Sequence, residues 1–408
     1  MNNIVGKVTD TCESLWNVEL VLFGMIGHKS LRRAFGSEEY HTPIGEVITS
    51  ICAACFLTMC VSSSTRTFFT VGFEDLSVTG EIISGLLSGF LIFIRITRFA
   101  SEKNAFFSIL RDFHILWEDV KTLKHLRSEI DEMINSTKAP RYLYLGSAVI
   151  LSLIYALPPY GAMLIGFFQK GPFEIDYSMT VYPLNYAFPH DTYLSYNLCL
   201  IYEVIVDYLV TLYWVACDIT FIQLTTHLRI HILALSNNFT LESYDAEEIH
   251  EYFTVNRISN LAKRHEHLMR LCKRVETLFN PIFFFTILFN GIDLCCCIIM
   301  LDREATDGDW NKFSKSVAHA ITLFIQIIIY CDFAHQTSEL MNNIAPTIFN
   351  SPWAFCDKKV QKLLAIIMMR ANKDYKFMAY GILNLDREQM TRIFKTTGSY
   401  FTLLRSFD

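Results

Sequence analysis

The amino-acid sequence predicts an all-α membrane protein: a polytopic seven-transmembrane helical bundle with a cytoplasmic N-terminus and an extracellular C-terminus. Three observations predict this fold. The composition is 52% hydrophobic and only 19% charged over 408 residues, which is too apolar for an ordinary soluble protein. Long apolar runs recur along the chain, and basic residues concentrate in alternate segments between them. The net charge of -6 supplies no basic excess for a nucleic-acid partner.

The apolar runs predict the spans. A helix that crosses a hydrocarbon layer about 30 Å thick needs roughly 17 to 25 mostly apolar residues. Runs of this length lie near 44–64, 79–99, 142–168, 194–226, 277–301 and 316–334, and a less apolar seventh lies near 377–405. The third run contains Pro158 and Pro159, which lack amide donors and therefore predict a kink with a cavity beside it.

Basic residues predict the orientation, because the cytoplasmic loops of membrane proteins carry the excess of Lys and Arg. The N-terminus and the segments near 100–141, 229–276 and 336–376 together hold 24 of these residues, whereas the alternate segments hold 5. The N-terminus is therefore predicted to be cytoplasmic. After seven crossings, the C-terminus is predicted to be extracellular.

Cysteine and histidine patterns do not predict an enzyme or a metal site. The twelve cysteines are spread through apolar runs and are interpreted as small membrane residues. The pair Cys52 and Cys55 and the triplet Cys295–Cys297 lack the second pair or the histidines that a zinc site needs. His227 and His231 have a spacing that can chelate a metal, but this pair has no second one. Motifs for a catalytic serine or a bound phosphate are absent, so we expect no catalytic residue and no cofactor.

Three carboxylates in the fourth span, Glu203, Asp207 and Asp218, have spacings that place them near one helical face. A carboxylate in hydrocarbon is unfavourable, so this face should contact protein or water. Two alternatives follow. The face lines a ligand cavity or an ion path, or it forms a hydrogen-bonded network between helices.

The C-terminal run is amphipathic. Polar residues recur there at steps of three or four positions, namely Glu388, Thr391, Lys395, Ser399, Thr402 and Ser406. Several copies of such a helix, arranged around an axis, would turn the polar stripe onto water and form an oligomeric pore. Alternatively, the stripe packs against another span of the same chain.

This C-terminal segment resembles the signature of insect odorant receptors. The resemblance is carried by residues 362–371, 377–379 and 385 and by the ending Lys-Thr-Thr-Gly-Ser-Tyr-Phe-Thr-Leu-Leu-Arg at 395–405. The usual ending reads Ser-Tyr-Ser-Tyr-Phe-Thr-Leu-Leu-Arg, and Thr397 and Gly398 replace its first Ser-Tyr pair. Since glycine weakens a helix, Gly398 is expected to loosen the helix at this point.

The resemblance implies an odorant-binding subunit of a heterotetrameric, ligand-gated, non-selective cation channel, assembled with a shared co-receptor subunit. It implies a location in the plasma membrane of olfactory neuron dendrites and a small, volatile, mostly apolar ligand. It also divides the chain into a ligand-binding bundle at 1–334, a cytoplasmic anchor segment at 335–376 and a pore-lining helix at 377–408.

The resemblance further implies the site residues. Gate positions counted from the Tyr-Phe pair fall on Leu403, Ser406 and Phe407, and the polar stripe places Ser399 in the same sector. The ligand site is expected in the outer half of the second, third, fourth and sixth spans, where aromatic walls supply contact area and hydroxyls orient the ligand. The residues predicted there are Ile83, Leu87, Phe90, Ser152, Tyr155, Pro159, Tyr196, Leu200, Thr322 and Phe324.

Two other functions stay open. A metabotropic seven-helix chemoreceptor would have no pore of its own, but its usual motifs are absent, since Asn280 and Pro281 are not followed by the expected tyrosine. A gustatory receptor typically carries a Thr-Tyr pair and ends in Gln-Phe, where this chain has Ser399-Tyr400 and Ser406.

Overall fold

The computed structural model describes residues 11–36, 43–71, 76–170, 180–189, 192–241 and 245–405, and most of these residues are helical. The helices are α1 (Cys12–Leu15), α2 (Asn17–Met25), α3 (Pro43–Val71), α4 (Leu76–Ser101), α5 (Lys103–Lys121), α6 (Arg127–Lys170), α7 (Tyr193–Asn237), α8 (Ala246–Tyr252), α9 (Val255–Asp307), α10 (Trp310–Asn342), α11 (Ile344–Phe349), α12 (Lys358–Ala371) and α13 (Arg387–Arg405). Short 3-10 helices span Lys29–Phe35, Lys124–Leu126 and Trp353–Phe355, and β1 (Met378–Ala379) pairs with β2 (Leu383–Asn384).

Within the described residues, six stretches of helix are long and apolar enough to cross a membrane: α3, α4, α6, α7, α9 and α10 with α11. They include the six longer apolar runs of the sequence. The seventh predicted span corresponds to α13, which is amphipathic and packs against α9 and α10. The predicted all-α, seven-helix bundle is therefore confirmed. The orientation of the two termini stays a prediction.

Several helices are much longer than a membrane crossing requires. Helices α6, α7 and α9 contain 44, 45 and 53 residues, and 53 residues at about 1.5 Å per residue extend over roughly 80 Å. The charged segments near 100–141 and 229–276, which separate the apolar runs, are thus mostly helical. The reason is that Lys, Arg and Glu are good helix formers, so charge ends an apolar run without ending a helix.

Local signals fix the ends of these long helices. Helix α7 follows Thr192, whose hydroxyl accepts a hydrogen bond from the Ser195 amide at 3.3 Å in a capping box. Helix α9 follows Thr254, which caps the Arg257 amide at 3.3 Å. It ends at Asp307, and the next residue, Gly308, has a φ of 72°, which lies in the left-handed region that glycine adopts without strain.

The parts of α7 and α9 that carry the basic segments pack against α2, α5 and α12; this region is called the basic end below. Its core is aromatic. The His227 ring stacks on Trp16 with centroids 5.3 Å apart, and the His231 ring stacks on Phe113 at 5.9 Å. Both histidines are fully buried. The pair that could have chelated a metal is therefore packed between aromatic rings.

The C-terminal helix begins at Arg387, ten positions later than the predicted start at 377. The intervening residues form an antiparallel hairpin that pairs Met378 with Asn384 and Ala379 with Leu383. Its turn has positive φ at Tyr380 (52°) and Gly381 (70°), a conformation that interrupts a helix. The predicted helix start at 377 is therefore wrong, because this turn precedes the helix.

Candidate functional site

A cavity of about 100 Å³ lies among α3, α4, α6, α7 and α10. On the same scale about 10–15 Å³ admits one water molecule, so the cavity has room for a small organic molecule. Its apolar wall includes Leu57, Val61, Ile82, Ala148, Leu151, Val206, Val210 and Trp214. Its polar groups include Ser64, Glu81, Ser84, Ser88, Ser152, Tyr155, Tyr182, Asp207, Thr211, His319 and Thr322. Apolar walls with a few converging polar groups are typical of small-molecule sites.

Small residues on α4 create the space. Gly85 faces the cavity, and a Cβ atom built there would meet nothing within 4 Å. A Cβ atom on Gly89 would lie 3.0 Å from Val61 Cγ2, so this glycine permits the close approach of α3. Ser84 and Ser88 occupy the same face of α4. The four-residue repeat of Ser-Gly pairs therefore both draws α3 close and leaves the neighbouring volume open.

The segment 180–189 closes one side of the cavity and is held by carboxylates of α7. The amide of Val181 donates to Glu203 Oε2 at 2.6 Å, and the Tyr186 hydroxyl donates to Oε1 at 2.6 Å. Tyr182 lines the cavity and donates through its hydroxyl to Asp207 Oδ1 at 2.7 Å. Burial and the nearby Glu203 carboxylate raise the pKa of the Tyr186 phenol, so it remains a neutral donor.

Asp218 forms a second, deeper network. It is fully buried and pairs with Arg95 at 3.1 Å. Its carboxylate also accepts hydrogen bonds from the hydroxyls of Tyr144 and Tyr330 and from the side-chain amide of Gln326. Asp218 thus ties α4, α6 and α10 to α7. Each of the two alternatives for the carboxylates of α7 therefore applies to a different residue. Asp207 lines the cavity, whereas Asp218 belongs to a hydrogen-bonded network between helices.

Three of the predicted ligand-binding residues line this cavity: Ser152, Tyr155 and Thr322. The Ser152 hydroxyl also donates to Asp207. Ser152 and Tyr155 come from α6, and Thr322 comes from α10. The structure therefore brings together the hydroxyl-bearing part of the predicted site.

The other predicted residues lie outside the cavity wall. Ile83, Leu87 and Phe90 are on other faces of α4, and Phe90 is 48% exposed beside the Phe285 and Phe289 rings. The cavity is bordered instead by the small residues next to them in sequence. A signal for this face was present in the Ser-Gly repeat, because small side chains leave space where large ones fill it.

The remaining predicted residues, on α6, α7 and α10, pack against neighbouring side chains outside the cavity wall. Tyr196 and Leu200 are fully buried in a small cluster with Val181, against which Tyr155 packs. Pro159 is buried within α6, which continues as one helix through it. Phe324 lies on α10 with its ring centroid 5.0 Å from that of Phe394 on α13.

The sequence-based site omitted α3 altogether, as well as His319 and Trp214. Leu57, Cys60, Val61 and Ser64 bring α3 into the wall. Residues from a first apolar helix give no signal of their own, because an apolar side chain facing lipid and one facing a cavity look alike in sequence. Only packing distinguishes the two.

Helix α13 presents a polar face that the described part of the chain leaves uncovered. Ile393 and Thr397 are buried, whereas Lys395, Ser399 and Thr402 are exposed. The polar stripe in the described part of α13 therefore does not pack against another span of this chain. Of the predicted gate residues, Leu403 lies on the described helix, while Ser406 and Phe407 lie outside the described residues.

Comparison with known proteins gives one consistent result. A family model described as 7tm Odorant receptor matches residues 68–398. The chain is 20% identical over 370 residues to odorant receptor 13a of Drosophila melanogaster, covering 83% of this chain and 82% of that protein. It is 20% identical over 343 residues to odorant receptor 82a of the same species, covering 82% and 86%.

A solved structure supports the fold independently. The insect olfactory receptor OR5 from Machilis hrabei, in complex with eugenol, superposes with a TM-score of 0.78 at 13% sequence identity. The match covers 97% of this chain and 100% of that chain. At this identity the likeness establishes the fold alone.

Proposed function

The chain belongs to the insect odorant receptor family, and we propose that it is the odorant-binding subunit of a heteromeric, ligand-gated, non-selective cation channel. Membership of this family makes it a receptor rather than an enzyme. The proposed location is the plasma membrane of olfactory neuron dendrites. The proposed partners are a co-receptor subunit and a small volatile organic ligand.

The observation that carries this proposal is that α10 contacts both the cavity and α13. Thr322 lines the cavity, and Phe324, two residues further on, contacts the Phe394 ring of α13. A ligand shifts the closed-to-open equilibrium only through different affinities for the two states. A ligand that changes how α10 packs at Thr322 would also change the Phe324–Phe394 contact.

The uncovered polar face of α13 supports a pore made by several subunits. A helix with exposed Lys395, Ser399 and Thr402 is unfavourable against lipid, because polar groups there have no hydrogen-bonding solvent. Copies arranged around an axis would place these groups on water. We assign Ser399 to the pore wall and Leu403, Ser406 and Phe407 to the gate, where apolar side chains would close the path by excluding water.

An exposed apolar surface near the basic end supports assembly with other subunits. Phe355, Ile366 and Met369 are 65%, 57% and 66% exposed, although α12 is not one of the candidate membrane spans. Exposed apolar side chains outside the membrane spans are consistent with a protein contact. We assign α12 to the contacts with neighbouring subunits, as expected of the anchor segment.

The cavity chemistry supports a small ligand that is mostly apolar and carries a hydrogen-bonding group. The wall supplies dispersion contacts, and Ser152, Tyr155 and Thr322 supply hydroxyls. A protein of similar fold was solved with eugenol, which agrees with a small organic ligand. The other seven predicted residues, Ile83, Leu87, Phe90, Pro159, Tyr196, Leu200 and Phe324, are proposed to support the site from outside its wall.

The test is electrical recording from cells that express this chain with the co-receptor. A panel of small volatile compounds should identify a ligand that evokes cation current. The current should persist in excised patches without nucleotides, because the pore belongs to the receptor itself. Loss of the response on excision would favour the metabotropic alternative.

The gate is tested with polar substitutions in the same recordings. Leu403→Thr and Phe407→Ser should raise the basal current or change ion selectivity, since a polar constriction wets more readily. Leu198→Thr is the control, because Leu198 is 58% exposed on α7, far in sequence from α13. Unchanged basal current, selectivity and ligand response in both gate variants would refute the gate assignment.

A further inference from the structure

Three potential metal ligands meet between α9 and α10. Asp293 and Cys297 are one turn apart on α9, and His319 faces them from α10. A carboxylate oxygen, the thiol sulfur and a ring nitrogen all lie within 4.8 Å of one another, and all three residues are buried. The described part of the chain contains no other group of three such residues that is identified on this distance criterion.

The separations fit a tetrahedral cation. Zinc bonds of about 2.0–2.3 Å place ligand atoms roughly 3.3–3.6 Å apart. The distance from His319 Nε2 to Asp293 Oδ2 is 3.3 Å. The sulfur lies within 4.8 Å of a carboxylate oxygen of Asp293 and a ring nitrogen of His319, so side-chain rotations of about 1 Å would complete the three-ligand set.

A neighbouring hydroxyl orients the Asp293 carboxylate, as the hydrogen-bonding groups around metal ligands usually do. The Ser84 hydroxyl donates to Asp293 Oδ1, which leaves Oδ2 on the side of His319. Hydrogen bonds of this kind fix ligands and strengthen metal binding. All three candidate ligands lie on long helices, whose rigidity holds them in position.

The mixed donor set discriminates among cations. Ca²⁺ and Mg²⁺ prefer oxygen ligands alone, whereas thiolate and imidazole favour Zn²⁺ and similar transition metals. Ser84 and His319 both line the cavity, so the cluster borders its polar side. Three protein ligands would leave a fourth position for water or for a group of a bound molecule.

We propose that Asp293, Cys297 and His319 bind a divalent transition-metal cation of the Zn²⁺ type at the edge of the cavity. The sequence patterns did not predict this site, because His319 lies on α10 and only the packing of α10 against α9 brings it to the other two residues. The proposal does not depend on channel function. A buried His–Asp ion pair beside an inert thiol is the outcome that a test must separate from it.

The test is Co²⁺ binding to the purified full-length chain in detergent, followed by optical absorption. The wild-type chain should bind Co²⁺ with a thiolate-to-cobalt charge-transfer band, and Zn²⁺ should displace it. Cys297→Ser should abolish this band and weaken binding at least about tenfold. Binding should weaken as pH falls, because protons compete for the ligands.

Two further variants make the result decisive. His319→Gln keeps an N–H donor towards Asp293 but removes the ring nitrogen, and it should weaken binding to a similar extent. Cys296→Ser makes the same change as Cys297→Ser one residue away, outside the cluster, and should retain the band and the affinity.

The proposal is overturned if the folded wild-type chain, judged by size-exclusion chromatography, shows no such band. It is equally overturned if Cys297→Ser keeps the band or if Cys296→Ser alone removes it. If Cys297→Ser does not fold, His319→Gln decides, because wild-type affinity in that variant would contradict the site.

Discussion

The two halves of α7 differ in what surrounds them. In the first half, exposed apolar residues recur at steps of three or four, namely Leu194, Leu198, Ile201, Ile205 and Tyr208, and the opposite face borders the cavity. In the second half, every residue from Leu212 to Leu228 is buried. The first half is thus a single helix between surface and cavity, whereas the second is enclosed by protein. We call them the open half and the enclosed half.

This difference separates two tasks. The enclosed half is buried on all sides, and such close packing resists rearrangement because interiors tolerate little change in volume. The open half has one face without protein contacts and can adjust to a ligand. Substitutions in the enclosed half should therefore change stability, and substitutions in the cavity wall beside the open half should change the ligand response.

The largest effect is expected from breaking the Asp218 network in the enclosed half. Arg95→Met leaves a fully buried carboxylate without its cation partner, and removing one member of a buried pair typically destabilises a protein by about 3–5 kcal/mol. Thermal unfolding of the purified chain should show this loss. Arg392→Met is the control, because the Arg392–Glu388 pair is exposed on α13 and contributes about 0.5 kcal/mol or less. Equal loss in both variants would contradict the distinction.

A slightly smaller effect is expected from truncating a core side chain of the enclosed half. Leu224 is fully buried, so Leu224→Ala should destabilise the fold by about 2–5 kcal/mol through lost contacts and a cavity. Leu198→Ala makes the same change in the open half, where the side chain is 58% exposed. The comparison fails if thermal unfolding finds the two variants equally destabilised.

The sequence predicted the membrane spans well and the cavity wall only in part. Long apolar runs identify spans because a bilayer imposes a minimum length, and the basic segments mark one end of the bundle. On α4 the sequence predicted Ile83, Leu87 and Phe90 as ligand contacts because they are large and apolar. The cavity wall contains Gly85 instead, since a small residue leaves volume open. Which face of an apolar helix meets lipid depends on neighbouring helices, and no single helix encodes that.

The start of α13 shows a second limit. The polar stripe indicated the helix, but the turn at Tyr380 and Gly381 was not recognised within a generally apolar segment. The hairpin is stabilised by long-range contacts, among them the hydrogen bond from the Tyr380 amide to Asn280 Oδ1 at 3.1 Å. A pattern confined to one segment cannot reveal a partner a hundred residues away.

An intermediate effect, confined to the ligand response, is expected from filling the cavity. Gly85→Val places two methyl groups where a Cβ atom meets nothing within 4 Å, so a ligand should lose at least about tenfold in apparent affinity. Gly146→Val is the matched control, since Gly146 also has open space around it but is not part of the cavity wall. Dose–response currents with the co-receptor measure both. An equal shift in the two variants would contradict the assignment of the cavity.

The smallest effect is expected from loosening the 180–189 segment beside the open half. Tyr186→Phe removes one hydrogen bond to the Glu203 carboxylate, and bonds to a charged group contribute about 1.5–3 kcal/mol. Only the part of this energy that distinguishes the closed segment from an opened one affects the ligand, so we expect a severalfold faster decay of current after ligand removal. Tyr193→Phe, at the exposed start of α7, is the control.

The effect of Tyr186 should not depend on pH below about 10. Burial and the Glu203 carboxylate raise the phenol's pKa above its ordinary value of about 10, so the folded protein keeps the donor proton up to that pH and loses this contribution only as pH rises further. The current of the Tyr186→Phe variant should therefore decay faster than the wild-type current by the same factor at neutral and at mildly alkaline pH. A ratio that collapses to one at mildly alkaline pH would mean that the phenol ionises early and that the segment is less buried than its contacts indicate.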